Sequence, residues 1–157
     1  MIAASAPQLR TDTKTNMADA LIFGSPEPDV QYTERRAAYV VVVNDERLVA
    51  AVESWQKYFL PGGGSLPGEA PEDTIAREVR EELARGVRLI RKIGEATQYF
   101  YSDEDARHYV MRATFFAGAF TDESCGGACE HELHWLPLNE AERACFHACH
   151  AWAARQV

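Results

Sequence analysis

The sequence predicts an α/β (α+β) fold in which a mixed β-sheet lies between helices. Strand-like and helix-like segments alternate between residues 37 and 154, which is the order that gives a sheet covered by helices. Hydrophobic residues make up 46% of the chain and charged residues 25%, as in ordinary globular domains. The length of 157 residues suits one domain with its own core. We therefore predict a single domain over residues 21–157.

The first 20 residues differ in composition from the rest of the chain. They are mostly small and polar and show no apolar periodicity, which is typical of a disordered tail. Residues 24–29 contain two prolines and therefore predict a loop. Regular secondary structure is expected to begin after this loop.

Predicted strands supply the sheet. Residues 37–43 read AAYVVVV, and a β-branched run of this length is typical of a buried strand. Turn-forming residues follow at positions 44–46, and residues 47–52 return as a second strand. Further strands are predicted at residues 87–93, 96–101, 108–120 and 133–136.

The first predicted helix covers residues 71–85. Pro71 suits its first turn, because the N–H that proline lacks would be unpaired there anyway. Gly86 stands where a helix would stop. Apolar residues recur every four positions and form a stripe that we expect to pack on the sheet: Ile75, Val79 and Leu83.

The last helix is predicted at residues 140–154. Asn139 suits the N-cap position, and Glu142 stands at the capping-box position three residues later. The order of elements is therefore strands, helix, strands, helix. The sequence shows neither an internal repeat nor a second domain.

Three carboxylates share one face of the first predicted helix. Glu78, Glu81 and Glu82 stand at i, i+3 and i+4, which places them side by side on a helix. Like charges at this spacing repel one another, so the cluster indicates a bound cation. Oxygen ligands of this kind suit Mg²⁺ or Mn²⁺. The alternative is an exposed, charged helix face with ordinary ion pairs.

A glycine-rich loop leads directly into this helix. Residues 62–69 read GGGSLPGE, and glycines let the backbone approach a ligand closely. Residues 63–85 resemble the Nudix box, the loop–helix signature G-x5-E-x7-R-E-U-x-E-E-x-G-U, in which U is a bulky aliphatic residue. Gly63 takes the first position and Glu69 the next. Residues 77–82, REVREE, fill the core of the signature without a gap.

The match departs from the signature at its end. Ala84 stands at the glycine position and Arg85 at the aliphatic position, and the Gly-Val pair of residues 86–87 follows two residues later. We interpret this as a helix that is slightly extended before its stop. The resemblance covers about residues 22–153, and it includes the W-x-P-x-x-E-A segment at residues 135–141.

The resemblance implies a Nudix-type α/β/α sandwich with a metal site. It implies that Glu78, Glu81 and Glu82 bind Mg²⁺, for which Mn²⁺ can substitute. The backbone carbonyl of Gly63 often joins such a site in the family. Family members also recruit an acidic residue from a loop well after the box. Glu130 and Glu132 are the candidates here, and Glu130 is favoured.

The resemblance also implies a hydrolase with assigned catalytic roles. Glu69 is expected to pair with Arg77 and fix the helix against the loop, while Glu78 or Glu81 acts as the base. The enzyme would cleave a phosphoanhydride bond in a nucleoside diphosphate linked to another moiety. A dinucleoside polyphosphate or a nucleoside triphosphate would fit this description.

Candidate substrate contacts follow the box. Tyr101 lies where some dinucleoside polyphosphate hydrolases of the family carry tyrosine. Tyr99, Phe100 and Tyr101 are predicted to stack on a base, since every base has a π-face. The alternative is that they are ordinary strand residues. Three basic residues are predicted to meet phosphates, although isolated basic residues are usually solvated: Arg35, Arg36 and Lys57.

Two other readings of the chain stay open. Cys125-x3-Cys129 and Cys145-x3-Cys149, with nearby histidines, would suit a zinc-binding module. Spacings of two residues are more usual for zinc, and the second pair also suits small core residues one helical turn apart. A Nudix fold without catalysis, used to sense nucleotides, or an isomerase on this fold is the other alternative. The complete set of box carboxylates favours hydrolysis.

Charge and hydropathy limit the classes of partner that the chain is expected to bind. The net charge of −8 argues against a nonspecific nucleic-acid binder, which normally shows a basic face. No apolar run reaches the roughly 18–20 residues of a membrane span. The N-terminus lacks the order of a secretory signal, so we expect a cytoplasmic protein that acts on a small nucleotide. A homodimer is expected from the resemblance alone.

Overall fold

The computed structural model describes residues 21–157, so the predicted disordered tail lies outside the described residues. The described chain forms strands and helices in an order that broadly follows the sequence prediction. The elements are β1 (Leu21–Phe23), β2 (Thr33–Val42), β3 (Leu48–Ser54), β4 (Lys57–Phe59), β5 (Gly62–Gly64), α1 (Pro71–Leu83), β6 (Arg85–Ser102), β7 (Arg107–Ser124), β8 (Leu133–Pro137), α2 (Leu138–Ala144) and α3 (Ala148–Ala154).

The strands form two sheets. The larger sheet has the order β1-β6-β7-β2-β5, and it is mixed because β1 pairs with β6 and β2 with β7 in parallel, while the other pairs are antiparallel. The smaller sheet has the order β4-β3-β8 and is antiparallel. The mixed sheet that the sequence predicted is confirmed.

Helices cover both faces of β2. Ala37, Tyr39 and Val41 share a buried cluster with alanines of α3. The alternate residues 38, 40 and 42 share a second cluster with Ile75 and Val79 of α1. Each fully buried valine contributes roughly 1.5–3 kcal/mol to folding. The strand is therefore the central layer of the predicted α/β/α sandwich.

The first helix ends earlier than predicted. It begins at Pro71 and ends at Leu83, and Ala84 then adopts a left-handed conformation with φ 50° and ψ 37°. The interpretation of an extended helix is therefore wrong, and Gly86 lies within β6. Ala84 takes the conformation usually given to glycine after a helix. Its backbone N–H donates to the Arg80 carbonyl at 2.9 Å, and its own carbonyl accepts from the Cys125 N–H at 3.2 Å.

The long hairpin of β6 and β7 replaces the separate strands that were predicted at 87–93 and 96–101. β6 runs through both segments as one strand of 18 residues. Register shifts against β7 occur at three places along it, between residues 85 and 94. Bulges of this kind bend a strand without ending it, which explains why the sequence pattern is interrupted there.

The predicted last helix is broken in two. α2 begins at Leu138 and ends at Ala144, and α3 begins at Ala148. The N-cap position of α2 is Pro137 and no side chain of residues 21–157 caps the helix, so the prediction of Asn139 as its N-cap is wrong. The break is stabilised from outside the segment, because the Phe146 N–H donates to the carbonyl of Tyr58 at 2.9 Å. None of the helices within residues 21–157 is both long and apolar enough to cross a membrane.

Candidate active site

A cleft of about 450 Å³ opens beside β2, β4 and β5. We call one part the carboxylate end, where Gly62, Gly63 and Glu82 line the cleft. We call another part the aromatic end, and its lining residues are Phe59, Phe100, Phe146 and His147. The cleft therefore joins a buried glutamate beside two glycines to a group of aromatic rings.

The glycines of β5 bring the backbone to the carboxylate end. Gly62, Gly63 and Gly64 pair antiparallel with residues 37–39 of β2. Gly62 has φ +132°, and a Cβ there would meet backbone of β2. A Cβ on Gly63 would lie 2.6 Å from the carboxyl carbon of Glu78. A glycine is therefore needed at 63 to leave space for that carboxylate.

Glu69 and Arg77 hold the loop against α1. Arg77 donates from Nε to Glu69 Oε1 at 2.8 Å and from Nη2 to Glu69 Oε2 at 3.0 Å. This is the bidentate geometry that makes arginine–carboxylate pairs strong. The Leu66 N–H and the Thr74 hydroxyl also donate to Glu69 Oε2, each at 2.9 Å. The Arg77 bonds and the Leu66 N–H lower the pKa of Glu69 to about 2.

Arg77 also reaches the other carboxylates of α1. Its Nη1 donates to Glu78 Oε1 at 2.8 Å and to Glu81 Oε2 at 3.2 Å, and its Nη2 donates to the Gly64 carbonyl at 2.9 Å. The guanidinium thus joins loop, helix and β5. This charge offsets part of the repulsion that the i, i+3 spacing of the two glutamates creates.

Glu82 is the buried member of the group. Its side chain is 7% exposed, and its Oε2 accepts the Gly62 N–H at 3.1 Å. Burial, with a smaller contribution from the nearby negative charges of Glu78, Glu130 and Glu81, raises the pKa of Glu82 to about 8. A cation at this place would oppose that shift, because it would favour the charged carboxylate.

Glu130 reaches the group on a loop that docks on the end of α1. The backbone N–H groups of Glu130 and His131 donate to the carbonyls of Glu81 and Glu82, at 3.4 Å and 3.1 Å. These bonds satisfy carbonyls that the end of a helix leaves free. The loop between β7 and β8 therefore carries Glu130 to the same region as the carboxylates of α1.

The donor set at the carboxylate end fits a hard divalent cation. Four glutamates lie near one another beside the backbone of Gly63, and carboxylate and carbonyl oxygens are the ligands that such ions prefer. In the described part of the chain no three His, Cys, Asp or Glu side chains stand close enough to hold a metal as they are. The carboxylates of Glu78 and Glu81 face Arg77, so they would have to turn toward the ion.

The absence of such a ligand group within residues 21–157 also bears on the zinc-binding hypothesis. Cys149 is buried, Cys145 is half-buried, and Cys129 is exposed on the β7–β8 loop. Burial raises the pKa of Cys145 to about 11 and that of Cys149 to about 12. Thiols with such pKa values are poorly suited to the deprotonation that zinc binding requires. The structure does not bring the two cysteine pairs together with histidines as a ligand group.

Two cationic side chains line the cleft between its ends. The guanidinium of Arg35 lies beside Gly64, where a Cβ would be 3.3 Å from its Nε. Within residues 21–157, Arg35 forms no ion pair. Lys57 pairs with Asp103 at 3.1 Å and lies 4.1 Å from the ring centre of Phe146. Arg35 is thus available to an anionic group in the cleft.

Sequence reasoning named Phe100 as a candidate to stack on a base but missed the other residues of the aromatic end. Phe100 and His147 lie 4.5 Å apart between ring centres, and Phe59 and Phe146 lie 5.8 Å apart. These residues come from β4, β6 and the break between α2 and α3. No local spacing links them, so only the three-dimensional fold reveals the group.

Three of the predicted substrate residues lie outside the cleft. Tyr101 is 43% exposed and packs at a tilt against His108, and Tyr99 packs edge-on against Tyr32. Neither lines the cleft, and Arg36 lies on the opposite face, in a groove with Pro71. Arg35 lines the cleft where Arg36 does not, because adjacent residues of β2 point to opposite faces.

Comparisons with known proteins add an independent finding. The family described as NUDIX domain matches residues 33–156. The chain is 39% identical over 80 residues to an RNA pyrophosphohydrolase of Bartonella quintana (strain Toulouse), covering 44% of this chain and 45% of that protein. It is 33% identical over 86 residues to MutT4 of Mycobacterium tuberculosis (strain CDC 1551 / Oshkosh), named as a candidate mutator protein, covering 52% and 33%. The chain thus spans less than half the length of either relative.

Solved structures share the fold. The structure of the E. coli dihydroneopterin triphosphate pyrophosphohydrolase matches 80% of this chain and 95% of that chain, with a TM-score of 0.62 and 18% identity. A NUDIX hydrolase from Nitrosomonas europaea matches 79% and 88%, with a TM-score of 0.58 and 15% identity. At these identities the likeness supports the fold alone.

Proposed function

The chain belongs to the NUDIX domain family, and from that premise we propose that it is a Mg²⁺-dependent pyrophosphohydrolase. The bond cleaved is a phosphoanhydride in a nucleoside diphosphate that is linked to another group. The name of one similar protein, an RNA pyrophosphohydrolase, supports cleavage at a pyrophosphate. The similarity covers 44% of this chain, so it does not assign the rest of the substrate.

One observation carries the proposal. The carboxylates of Glu78, Glu81 and Glu82 lie on one helix beside Gly63, and Arg77 bonds the first two while Glu82 is buried against Gly62. Such a concentration of negative charge at the end of a cleft is destabilising unless a cation neutralises it. A charged helix face without function would be solvated and would not bury Glu82.

The residues of the site have separate tasks. Glu78, Glu81, Glu82, Glu130 and the Gly63 carbonyl would hold Mg²⁺. When bound, the ion neutralises the diphosphate and polarises the phosphorus–oxygen bond.

The carboxylate of Glu78 or Glu81 accepts a proton from the attacking water. The water oxygen bonds to phosphorus, the bridging phosphorus–oxygen bond breaks, and the leaving phosphate departs as an anion. Arg77 positions both glutamates, and Glu69 holds Arg77 in place through the bidentate pair.

Arg35 is the best-placed residue for the remaining phosphate charge. It lines the cleft beside Gly64 and has no carboxylate partner within the described chain. A guanidinium matches phosphate oxygens in geometry as well as charge. The cytoplasmic location and the homodimer stay predictions, because neither depends on the geometry of the site.

A product assay with matched variants tests the proposal. Wild-type protein with Mg²⁺ is given dinucleoside polyphosphates, nucleoside triphosphates, nucleotide sugars and capped RNA. Glu81→Gln keeps the shape and removes one ligand charge, so turnover should fall at least about 10²-fold. Glu72→Gln on the exposed first turn of the same helix is the control and should keep turnover within about twofold.

The outcomes of this assay are distinct. Nucleotide release that requires Mg²⁺ and is lost in Glu81→Gln supports the proposal and names the substrate class. Folded wild-type protein that turns over none of the substrates would contradict it and favour a sensing role. Equal activity in Glu81→Gln and Glu72→Gln would contradict the assignment of the site.

A further inference from the structure

His147 differs from the other residues of the aromatic end in carrying unused hydrogen-bonding capacity. It precedes α3 at the helix break and is 5% exposed. Its Nδ1 is buried and has no hydrogen-bond partner within residues 21–157. Buried polar atoms in proteins nearly always form hydrogen bonds, so a buried nitrogen without one requires an explanation.

Neighbouring rings fix His147 without bonding it. Phe100, Phe146 and Phe59 lie 4.5, 4.8 and 5.5 Å from it between ring centres. His150, three residues later, is bonded to the fold, since its Nδ1 accepts the Leu60 N–H at 3.1 Å. His147 makes no comparable bond to the fold, although it lines the cleft.

His147 is held in its neutral form. Burial, together with the positive charges of Arg35 and Lys57, lowers its pKa to about 4. A neutral imidazole has one donor and one acceptor nitrogen. It can therefore discriminate between hydrogen-bonding edges, whereas an imidazolium would respond mainly to negative charge.

The surroundings of His147 define what can bind there. The walls are aromatic, so they suit a flat group that stacks. Arg35 lies in the same cleft, toward the carboxylate end beside Gly64. A ligand that joins a planar heteroaromatic group to a short anionic chain would contact both ends of the cleft.

We propose that His147 is a specificity-determining residue that reads the edge of a nucleobase held among Phe59, Phe100 and Phe146. On binding, the imidazole ring turns so that its buried, unpaired Nδ1 reaches the cleft and forms its missing hydrogen bond with the base, while the phosphates extend toward Arg35 and the carboxylate end. This inference rests on the proposed function for the identity of the phosphate-bearing end. It adds the residue that selects among bases.

Binding of non-hydrolysable probes tests the inference separately from turnover. Calorimetry measures the affinity of the α,β-methylene diphosphates of adenosine, guanosine, cytidine and uridine, with methylenediphosphonate as a base-free probe. Wild-type protein should prefer one base over the least favoured by about fivefold to tenfold, the value of one good hydrogen bond. His147→Phe keeps an aromatic ring but removes both nitrogens, so the four affinities should converge to within about twofold.

Two further readouts distinguish reading a base from supporting the fold. His147→Asn restores a short donor and acceptor near Nδ1, so it should recover part of the preference. His147→Phe should not lower Tm in the absence of ligand, because Nδ1 has no bond to lose. Affinity for methylenediphosphonate should be the same in all three proteins.

Several results would overturn the inference. Wild-type protein without base preference, or His147→Phe with the wild-type preference, would refute it. Equal loss of affinity for all probes, including methylenediphosphonate, would show a structural role instead. If His147→Phe does not fold, an unchanged preference in His147→Asn refutes the inference and a changed one supports it. If His147→Phe turns over substrate with Mg²⁺ and keeps the wild-type base preference, the proposed function holds and this inference fails. If wild-type protein binds one base selectively but turns over no substrate, this inference holds and the proposed function fails.

Discussion

The two ends of the cleft are built in different ways. The carboxylate end comes mainly from one continuous segment, residues 62–82, and its polar groups bond one another through Arg77. The aromatic end is assembled from distant segments, and its buried polar atom, His147 Nδ1, has no partner in the described chain. The first end is held together by its own hydrogen bonds, although Glu78 and Glu81 must turn to meet an ion, while the second is completed by what binds. Chemistry and selection are therefore separable in this cleft, and variants should affect them separately.

The largest expected effect comes from Gly63→Ala. The new Cβ would lie 2.6 Å from the Glu78 carboxyl carbon, so that carboxylate must move. Displacement of a catalytic group by about 1 Å can lower turnover by about 10²-fold. Stability should change by less than about 1 kcal/mol, because the displaced atoms are the end of a flexible side chain. Steady-state kinetics and urea unfolding measure the two effects.

Gly64→Ala is the matched substitution one residue later. Its Cβ would approach Arg35 at 3.3 Å, so we expect a smaller loss that appears mainly in KM. If both glycine variants lost the same amount of kcat, the carboxylate end would depend on the loop as a whole. The specific contact between Gly63 and Glu78 would then not explain the result.

A smaller effect is expected at the aromatic end from Phe146→Leu. Phe146 is 39% exposed and lines the cleft, so replacing it should disturb the fold little. Loss of a stacking surface should raise KM about tenfold with little change in kcat. Phe146→Tyr keeps the flat face and serves as the control. A fall in kcat with unchanged KM would contradict the assignment of catalysis to the carboxylate end and substrate selection to the aromatic end.

The smallest effect concerns acid stability, to which the two ends should respond over different pH ranges. The pKa of Glu69 is lowered to about 2, so its pair with Arg77 is intact between pH 8 and pH 5. The pKa of His147 is lowered from 6.5 to about 4, and that of His150 falls well below 6.5, both mainly through burial. Below pH 6.5 each of these histidines therefore binds more protons in the unfolded chain than in the folded chain, and its contribution to stability falls.

Urea unfolding of wild type and His147→Phe at pH 8 and pH 6 measures this loss. The contribution of His147 should fall by about 1 kcal/mol by pH 6, so the stability of wild type relative to His147→Phe should be lower at pH 6 than at pH 8 by about that amount. An identical pH dependence in both proteins would show that His147 is not buried in its neutral form in solution.

The sequence was most informative where function depends on local spacing. Helical periodicity puts Glu78, Glu81 and Glu82 on one side of α1, and this follows from the positions alone. The positions alone do not show whether Arg35 or Arg36 faces the cleft. Adjacent residues of a strand face opposite sides, and only the packing of α1 and α3 decides which side carries the cleft.

The sequence was least informative where tertiary contacts override local preference. The break between α2 and α3 is stabilised by the Phe146 N–H bond to Tyr58, which is distant in sequence. The end of α1 at Leu83 is stabilised by a loop that begins some 40 residues later, through the N–H of Cys125. Neither partner is visible in a local pattern, so both boundaries were misplaced.

The alternation of β2 also constrains how the gene can change in length. One extra codon within residues 37–42 would exchange the side chains that face α1 with those that face α3, and both buried clusters would be lost. Two extra codons would preserve the faces but shift the ten-residue register with β7. Residues 24–32 pair with no strand, so an insertion there would leave both layers intact. Heritable length variation in this protein should therefore accumulate in that connection and be purged from β2.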